Sequence, residues 1–213
     1  MTDTETGGTP RERYRNQVRA EVKQLAWEQI AADGASALSL NAIAKKMGMS
    51  GPALYRYFAG RDELITELVR DAYRSLADTV GQAEDAGADL AGLARALRRW
   101  ALADPHRYFL VYGTPVPGYH APDEITGIAS EIMSALLRAG ESAGSTDPFA
   151  TAMAFWTRLH GVLSLELAGH FTGMDVSPEA LFESEIATLG RWPAARPEAP
   201  ATTADGRRPT SGE

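Results

Sequence analysis

The sequence predicts an all-α protein of about nine helices, with an N-terminal three-helix unit of helix-turn-helix type followed by a larger helical domain. Three observations carry this. Apolar residues recur at steps of three and four along most of the 213 residues, and no stretch alternates convincingly with the period of a strand. Helix breakers fall where the periodicity stops: Gly34, Gly48, Gly60, the Asp104-Pro105 pair and the segment 113–122, GTPVPGYHAP. Apolar residues make up 44% of the chain and charged residues 23%, the balance of a chain that can bury a core.

Taken in order, Val18, Val22, Leu25, Ala26 and Ile30 predict a first helix over about 13–32, with Gly34 ending it. Ser39 can cap a second helix whose inner face is Leu40, Ile43, Ala44 and Met47. Gly48 breaks it. Ser50 can cap a third, with Pro52 in the first turn, where a missing N–H costs little, and Leu54 and Phe58 facing inward. After Gly60, Asp62 and Glu63 suit the positive end of a fourth helix, whose stripe is Leu64, Leu68, Ala72, Leu76 and Val80. Further helices are expected at about 89–104, 105–112, 123–139, 148–171 and 178–190. The stretch 148–171 is apolar on nearly all faces, as in a helix buried on several sides. The expected divisions are an unstructured start (1–12), the helix-turn-helix unit (13–60), a ligand-binding and dimerisation domain (61–192) and an unstructured tail (193–213). That tail is rich in Pro, Ala, Thr and Gly and has no apolar residue larger than alanine.

Composition narrows the function. The absence of cysteine excludes disulfide scaffolds, thiolate metal sites and cysteine nucleophiles. No apolar run approaches the ~18 residues of a membrane-spanning helix, and the polar start MTDTETGGTPRERYRN lacks a signal peptide's apolar stretch. A cytoplasmic protein is expected. The net charge of -7 looks wrong for a nucleic-acid binder, but its distribution is uneven. Residues 11–61 carry nine basic side chains against four acids, whereas residues 62–213 hold 12 basic against 22 acidic. A basic end on an acidic body points to a polyanion partner for that end alone. No phosphate loop, Ser-His-Asp set or inward carboxylate pair stands out, so no catalytic residue is assigned. Glu166 and His170 lie four apart, but His170 reads as a helix-end residue rather than a metal ligand, and neither metal nor cofactor is expected.

The informative stretch is 38–64, LSLNAIAKKMGMSGPALYRYFAGRDEL: a short helix, a turn at Gly48-Met49 and a second short helix. Ala44 lets the two helices cross closely. The outer face of the second one carries Gly51, Pro52, Ala53, Tyr55, Arg56 and Tyr57. Small residues at its start allow approach to base edges, and the polar tips reach the backbone.

This stretch resembles the tetracycline-repressor (TetR) family of bacterial transcriptional regulators, through Ser39-Leu40, Ile43-Ala44, Gly48-Met49-Ser50, the run Ala53–Phe58, Arg61 and Leu64. The family usually has threonine at Ala53, histidine at Tyr57 and lysine at Arg61, all mild departures. The segment 156–171, WTRLHGVLSLELAGHF, looks like the C-terminal helix of a subgroup marked by Trp, His-Gly and a closing Gly-His-Phe. The Tyr108-Phe109 pair and the loop after it fit the same subgroup. The resemblance implies a regulator, usually a repressor, that leaves a palindromic operator when a small effector binds. The rival is a helical small-molecule binder or enzyme that does not act on DNA.

By that resemblance, Tyr55, Tyr57 and Arg61 contact phosphates, Ser50 caps the recognition helix, and Gly51, Pro52 and Ala53 lie against bases. Arg56 is the candidate for sequence readout, since a guanidinium can bond guanine in bidentate fashion. Ser39, Asn41 and Lys45 complete the DNA-facing set, with Lys46 beside them; the alternative for each lysine is a solvated side chain on an exposed face. One such unit covers a single half-site, so a homodimer is expected, paired through the last two helices with Ala152, Gly161 and Ala168 allowing close approach. A mostly apolar effector would lie among Trp100, Tyr108, Phe109, Tyr112, Met133, Trp156 and His160.

Overall fold

The computed structural model describes residues 9–189, and these form nine α-helices and one 3₁₀ turn. Capping chemistry explains most of the ends. Helix α1 (Pro10–Asp33) starts about a turn earlier than the apolar pattern predicts. The Thr9 hydroxyl accepts from the Glu12 amide at 3.2 Å, and the Glu12 carboxylate accepts from the Thr9 amide at 2.7 Å. This reciprocal capping box corrects the expectation that residues 9–12 lack structure. The predicted tail at 193–213 lies outside the described residues.

Gly34 ends α1 at φ +80°, and a 3₁₀ turn (Ala35–Ala37) leads to α2 (Leu40–Lys46). Ser39 caps α2, accepting from the Ala42 amide at 3.3 Å. Gly48, at φ +66°, makes the turn that follows, where the Met49 amide donates to the Ala44 carbonyl at 2.9 Å. Helix α3 is only Gly51–Leu54, not a helix running to Phe58. The Tyr57 amide closes on the Leu54 carbonyl at 2.8 Å, tightening the last turn, and the Arg19 guanidinium takes the Tyr57 carbonyl. Ser50 stands at the N-cap position, but its side chain makes no capping bond, contrary to expectation.

Helix α4 (Arg61–Asp85) follows, with the Glu63 carboxylate accepting from the Ala59 amide at 2.5 Å. The body is α5 (Leu90–Ala103), α6 (Pro105–Tyr112), α7 (Asp123–Ser142), α8 (Pro148–Leu167) and α9 (Pro178–Leu189). Asp89, Asp104 and Asp147 cap α5, α6 and α8. Helix α8 stops short of residue 171, because the chain turns through Gly169 at φ +76°.

Two apolar cores result, and α4 is common to both. Leu64, Ile65, Leu68 and Val69 pack into the core of α1–α3 with Val22, Ile43, Leu54 and Phe58. Leu76, Ala77 and Val80 pack into the body with Leu97, Phe155, Leu159 and Phe182. The division expected at 60/61 falls at the first residue of α4, whose first half packs into one core and whose second half packs into the other. Val116 and Ile125, from the body, also enter the first core. Ion pairs align the elements on either side: Lys23 with Asp71 at 2.6 Å between α1 and α4, and Arg74 with Glu131 at 2.7 Å between α4 and α7. Such exposed pairs contribute roughly 0–1 kcal/mol each, so they set register more than stability. Among the described residues no helix is long and apolar enough to cross a membrane.

Candidate nucleic-acid interface and ligand cavity

The α2–turn–α3 unit presents one protruding corner. Tyr55 is 46% exposed, and Arg56, Pro52, Asn41 and Lys45 are exposed beside it. Gly51 packs close to Asn41, whose Oδ1 would stand 3.3 Å from a Cβ built on the glycine. Gly51 and Ala53 are half-covered, so α3 offers backbone rather than bulk.

Not every candidate shares that face. The Arg61 guanidinium turns back onto the protein, donating to the carbonyls of Ala35 at 3.0 Å, Ser36 at 3.2 Å and Leu38 at 3.3 Å. It ties the head of α4 to the 3₁₀ turn, which corrects its reading as a simple phosphate contact. Tyr57 is half-buried against the first core. Ser39 is spent as a cap, and Lys46 pairs with Glu28 at 2.5 Å. Arg19 lies 4.1 Å from the Phe58 ring centroid and pairs with Glu63 and Glu67. Part of the positive charge counted in the sequence is thus used inside the fold, and Lys45 and Arg56 are its exposed remainder at this corner.

In the body, α6 and α8 bring four of the seven candidate ligand residues into one ring cluster. The Tyr108 hydroxyl lies 3.0 Å from Nδ1 of His160. The His160 ring centroid is 4.3 Å from that of Tyr112 and 4.2 Å from that of Trp156. Burial holds the His160 imidazole down to about 4, so it is neutral at pH 7, and pushes the Tyr108 phenol up to about 12. It also raises the Tyr112 phenol. Tyr112 and Trp156 face a cavity of about 310 Å³, where Met133 joins them, as do Tyr73, Thr126 and Ser130. The other two candidates lie elsewhere. Trp100 is buried, its indole N–H donating to the Ser75 hydroxyl at 3.1 Å. Phe109, although edge-on to Tyr108, lines a separate groove between α1 and the 113–117 segment.

The sequence reading missed Tyr73, Thr126 and Ser130. Tyr73 belongs to a second stripe of α4, Ile65–Val69–Tyr73–Ala77, one residue out of step with the stripe it followed. Glu166 is committed to Arg98 at 2.6 Å, and among the described residues no three potential metal ligands gather.

The outer side of α8 carries Phe149, Thr157, Gly161 and Leu165 at steps of four or eight, all exposed, with Met153 between them half-exposed. Ala168 is exposed just beyond. Ala152 is fully buried in the protomer's own core, which corrects its place among the expected pairing residues.

Comparison with known proteins agrees with this architecture. Residues 24–68 match the N-terminal domain described as bacterial regulatory proteins, tetR family, and residues 90–189 match a tetracyclin repressor-like C-terminal domain. An HTH-type transcriptional regulator of Mycobacterium tuberculosis, Rv1816, is 46% identical over 132 residues, 59% of this chain; the match spans 56% of that relative, little more than half its length. The crystal structure of a regulatory protein, SCO4313, is 62% identical with a TM-score of 0.80, covering 85% of this chain and 98% of that one. A TetR/AcrR regulator structure from Thermobifida fusca shares the fold at 19% identity and a TM-score of 0.61, over 82% of this chain and 97% of that one. With both of its domains matched in order and a near-full-length structural relative at high identity, the chain belongs to the tetracycline-repressor (TetR) family.

Proposed function

We propose that the protein is a DNA-binding transcriptional regulator of the bacterial cytoplasm, a repressor that leaves a palindromic operator when a small, mostly apolar effector fills the body. The observation that carries this reading is the exposed corner at Tyr55 and Arg56, flanked by the backbone contacts of Arg19 and Arg61 and joined by one continuous helix to an aromatic-lined cavity. Arg56 reads bases, Tyr55 and Tyr57 contact phosphates, and Lys45, Asn41 and the start of α3 lie along the groove. Arg61 acts through the turn that it ties down.

Reading a palindrome takes two such corners about 34–36 Å apart. The apolar stripe on α8, broken by Gly161 where another helix could approach, supports pairing of two copies through α8 and α9. Tyr73 stands where both cores meet on α4, edge-on to Tyr112 at 5.9 Å between centroids. An effector that fits one setting of α4 better than another shifts the population between them, and only that difference in affinity can move the corner. The rival reading, a helical binder or enzyme without DNA, leaves the Tyr55–Arg56 corner without a use.

The test is selection of duplexes from a random pool by the full chain. An enriched inverted repeat supports the reading, and a pool that stays random after repeated rounds overturns it.

A further inference from the structure

The cavity beside the ring cluster is not isolated. It shares Tyr73, Thr126 and Ala129 with a second cavity of about 340 Å³. Among the described residues, none that lines either is charged. The two differ in what they touch. The first is walled by α4, α6, α7 and α8 of the body. The second is walled by the 113–116 segment and by Val69, Val116 and Ile125, and those three side chains are buried members of the core of α1–α3. Tyr119 lines it as well, its hydroxyl 3.2 Å from that of Thr66 on α4.

The two ends are chemically unequal. Tyr112 lines the first cavity, and among the described residues its buried hydroxyl has no hydrogen-bond partner, nor has Nε2 of the adjoining His160. A buried donor left unmatched is costly, and a ligand that completes it recovers that loss. The second cavity offers mainly Val, Ile, Leu, Pro and aromatic surface. An ion would lose its hydration here with no charged partner to replace it.

Resting on the effector-binding reading above, we infer that the effector is an uncharged, elongated molecule whose hydrogen-bond-accepting head takes the Tyr112 hydroxyl while an apolar tail passes Tyr73, Thr126 and Ala129 into the second cavity. The head supplies recognition. The tail supplies the response, because the second cavity, unlike the first, is lined by buried members of the core that holds the DNA-facing corner, Val69, Val116 and Ile125. A head without a tail binds and leaves that core undisturbed.

Three probes separate these roles: octanophenone, with carbonyl and tail; octylbenzene, with the tail alone; and acetophenone, with the carbonyl alone. Binding to the full-length protein is read by tryptophan fluorescence, and the response by amide hydrogen exchange over residues 113–122 and 24–47, which needs no DNA. Octanophenone is expected to bind at least tenfold more tightly than octylbenzene. Tyr112→Phe removes that difference while keeping octylbenzene binding and an undiminished melting temperature. Saturating octanophenone changes exchange in both segments, and saturating acetophenone changes neither. Equal affinity for octanophenone and octylbenzene overturns the head assignment, and an equal exchange response to the two ketones overturns the tail assignment. Failure of all three probes to bind overturns the inference as a whole. Failure of the duplex selection described above overturns the regulator reading instead, and leaves these readouts to decide the ligand chemistry.

Discussion

The hydroxyl of Tyr108 on α6 sits 3.0 Å from Nδ1 of His160 on α8 and 3.4 Å from the His160 carbonyl, polar contacts that join the two helices inside a cluster of aromatic rings. Tyr108 is itself 1% exposed, so the pair is shielded from competing water. The contact fixes the neighbouring rings of Tyr112 and Trp156, and it makes the cluster sensitive to protonation.

His160 gives a pH dependence with a definite sign. Burial lowers its folded-state value from 6.5 to about 4, so between those limits the unfolded chain binds a proton that the folded chain refuses. Its contribution is complete above pH 6.5 and is lost as pH falls toward 4. By pH 5.5 the loss amounts to about 1 kcal/mol. Urea unfolding at pH 7.0 and 5.5 should show that decrease, and a His160→Phe variant should show a smaller one over the same interval.

Arg61 and Tyr55 should separate folding from binding. Arg61→Ala removes the donor to three carbonyls of the turn after α1 and should lower stability by about 1–3 kcal/mol, with weaker DNA binding as a consequence. Tyr55→Ala, at a side chain nearly half exposed, should weaken DNA binding at an unchanged melting temperature. Thermal melts and mobility shifts on the same two variants check both expectations.

Gly48 lies in the left-handed region in open space, so a methyl group there meets nothing and its cost is purely conformational. Gly48→Ala should destabilise the protein by about 1 kcal/mol, seen as a lower denaturation midpoint at unchanged m-value.

Leu165, 45% exposed on the outer stripe of α8, lies at the proposed pairing face. Leu165→Glu should convert a dimer into a monomer at micromolar concentration by light scattering while leaving the helical circular dichroism intact. A wild-type chain that is already monomeric contradicts the pairing surface.

Much of the architecture was legible in the sequence because caps and breakers are local. Ser39, Gly34, Gly48 and the Asp104-Pro105 pair each mark a boundary through their own backbone chemistry. What was not legible depends on distant partners. The turn that ends α3 is met by Arg19, which holds the Tyr57 carbonyl from 38 positions away. The inward turn of Arg61 follows from a 3₁₀ turn that the apolar pattern does not announce. Ala152 and Gly161 look equally small in sequence, yet one faces the core and the other faces out. The ring cluster was legible as a set of residue types, but not the cavity, which of the seven candidate residues Tyr112, Met133 and Trp156 line.

The central claim is that the Tyr55–Arg56 corner reads DNA, and the most direct measurement is a fluorescence-anisotropy titration of the selected duplex with wild-type protein, Tyr55→Ala and Arg56→Ala across a range of salt. The account predicts that wild-type affinity falls steeply with salt, with a log–log slope of about −0.9 for each phosphate contact. Tyr55→Ala should bind more weakly with a shallower slope, and Arg56→Ala should lose discrimination between the selected and scrambled sequences. Unchanged affinity, slope and discrimination in both variants would contradict it.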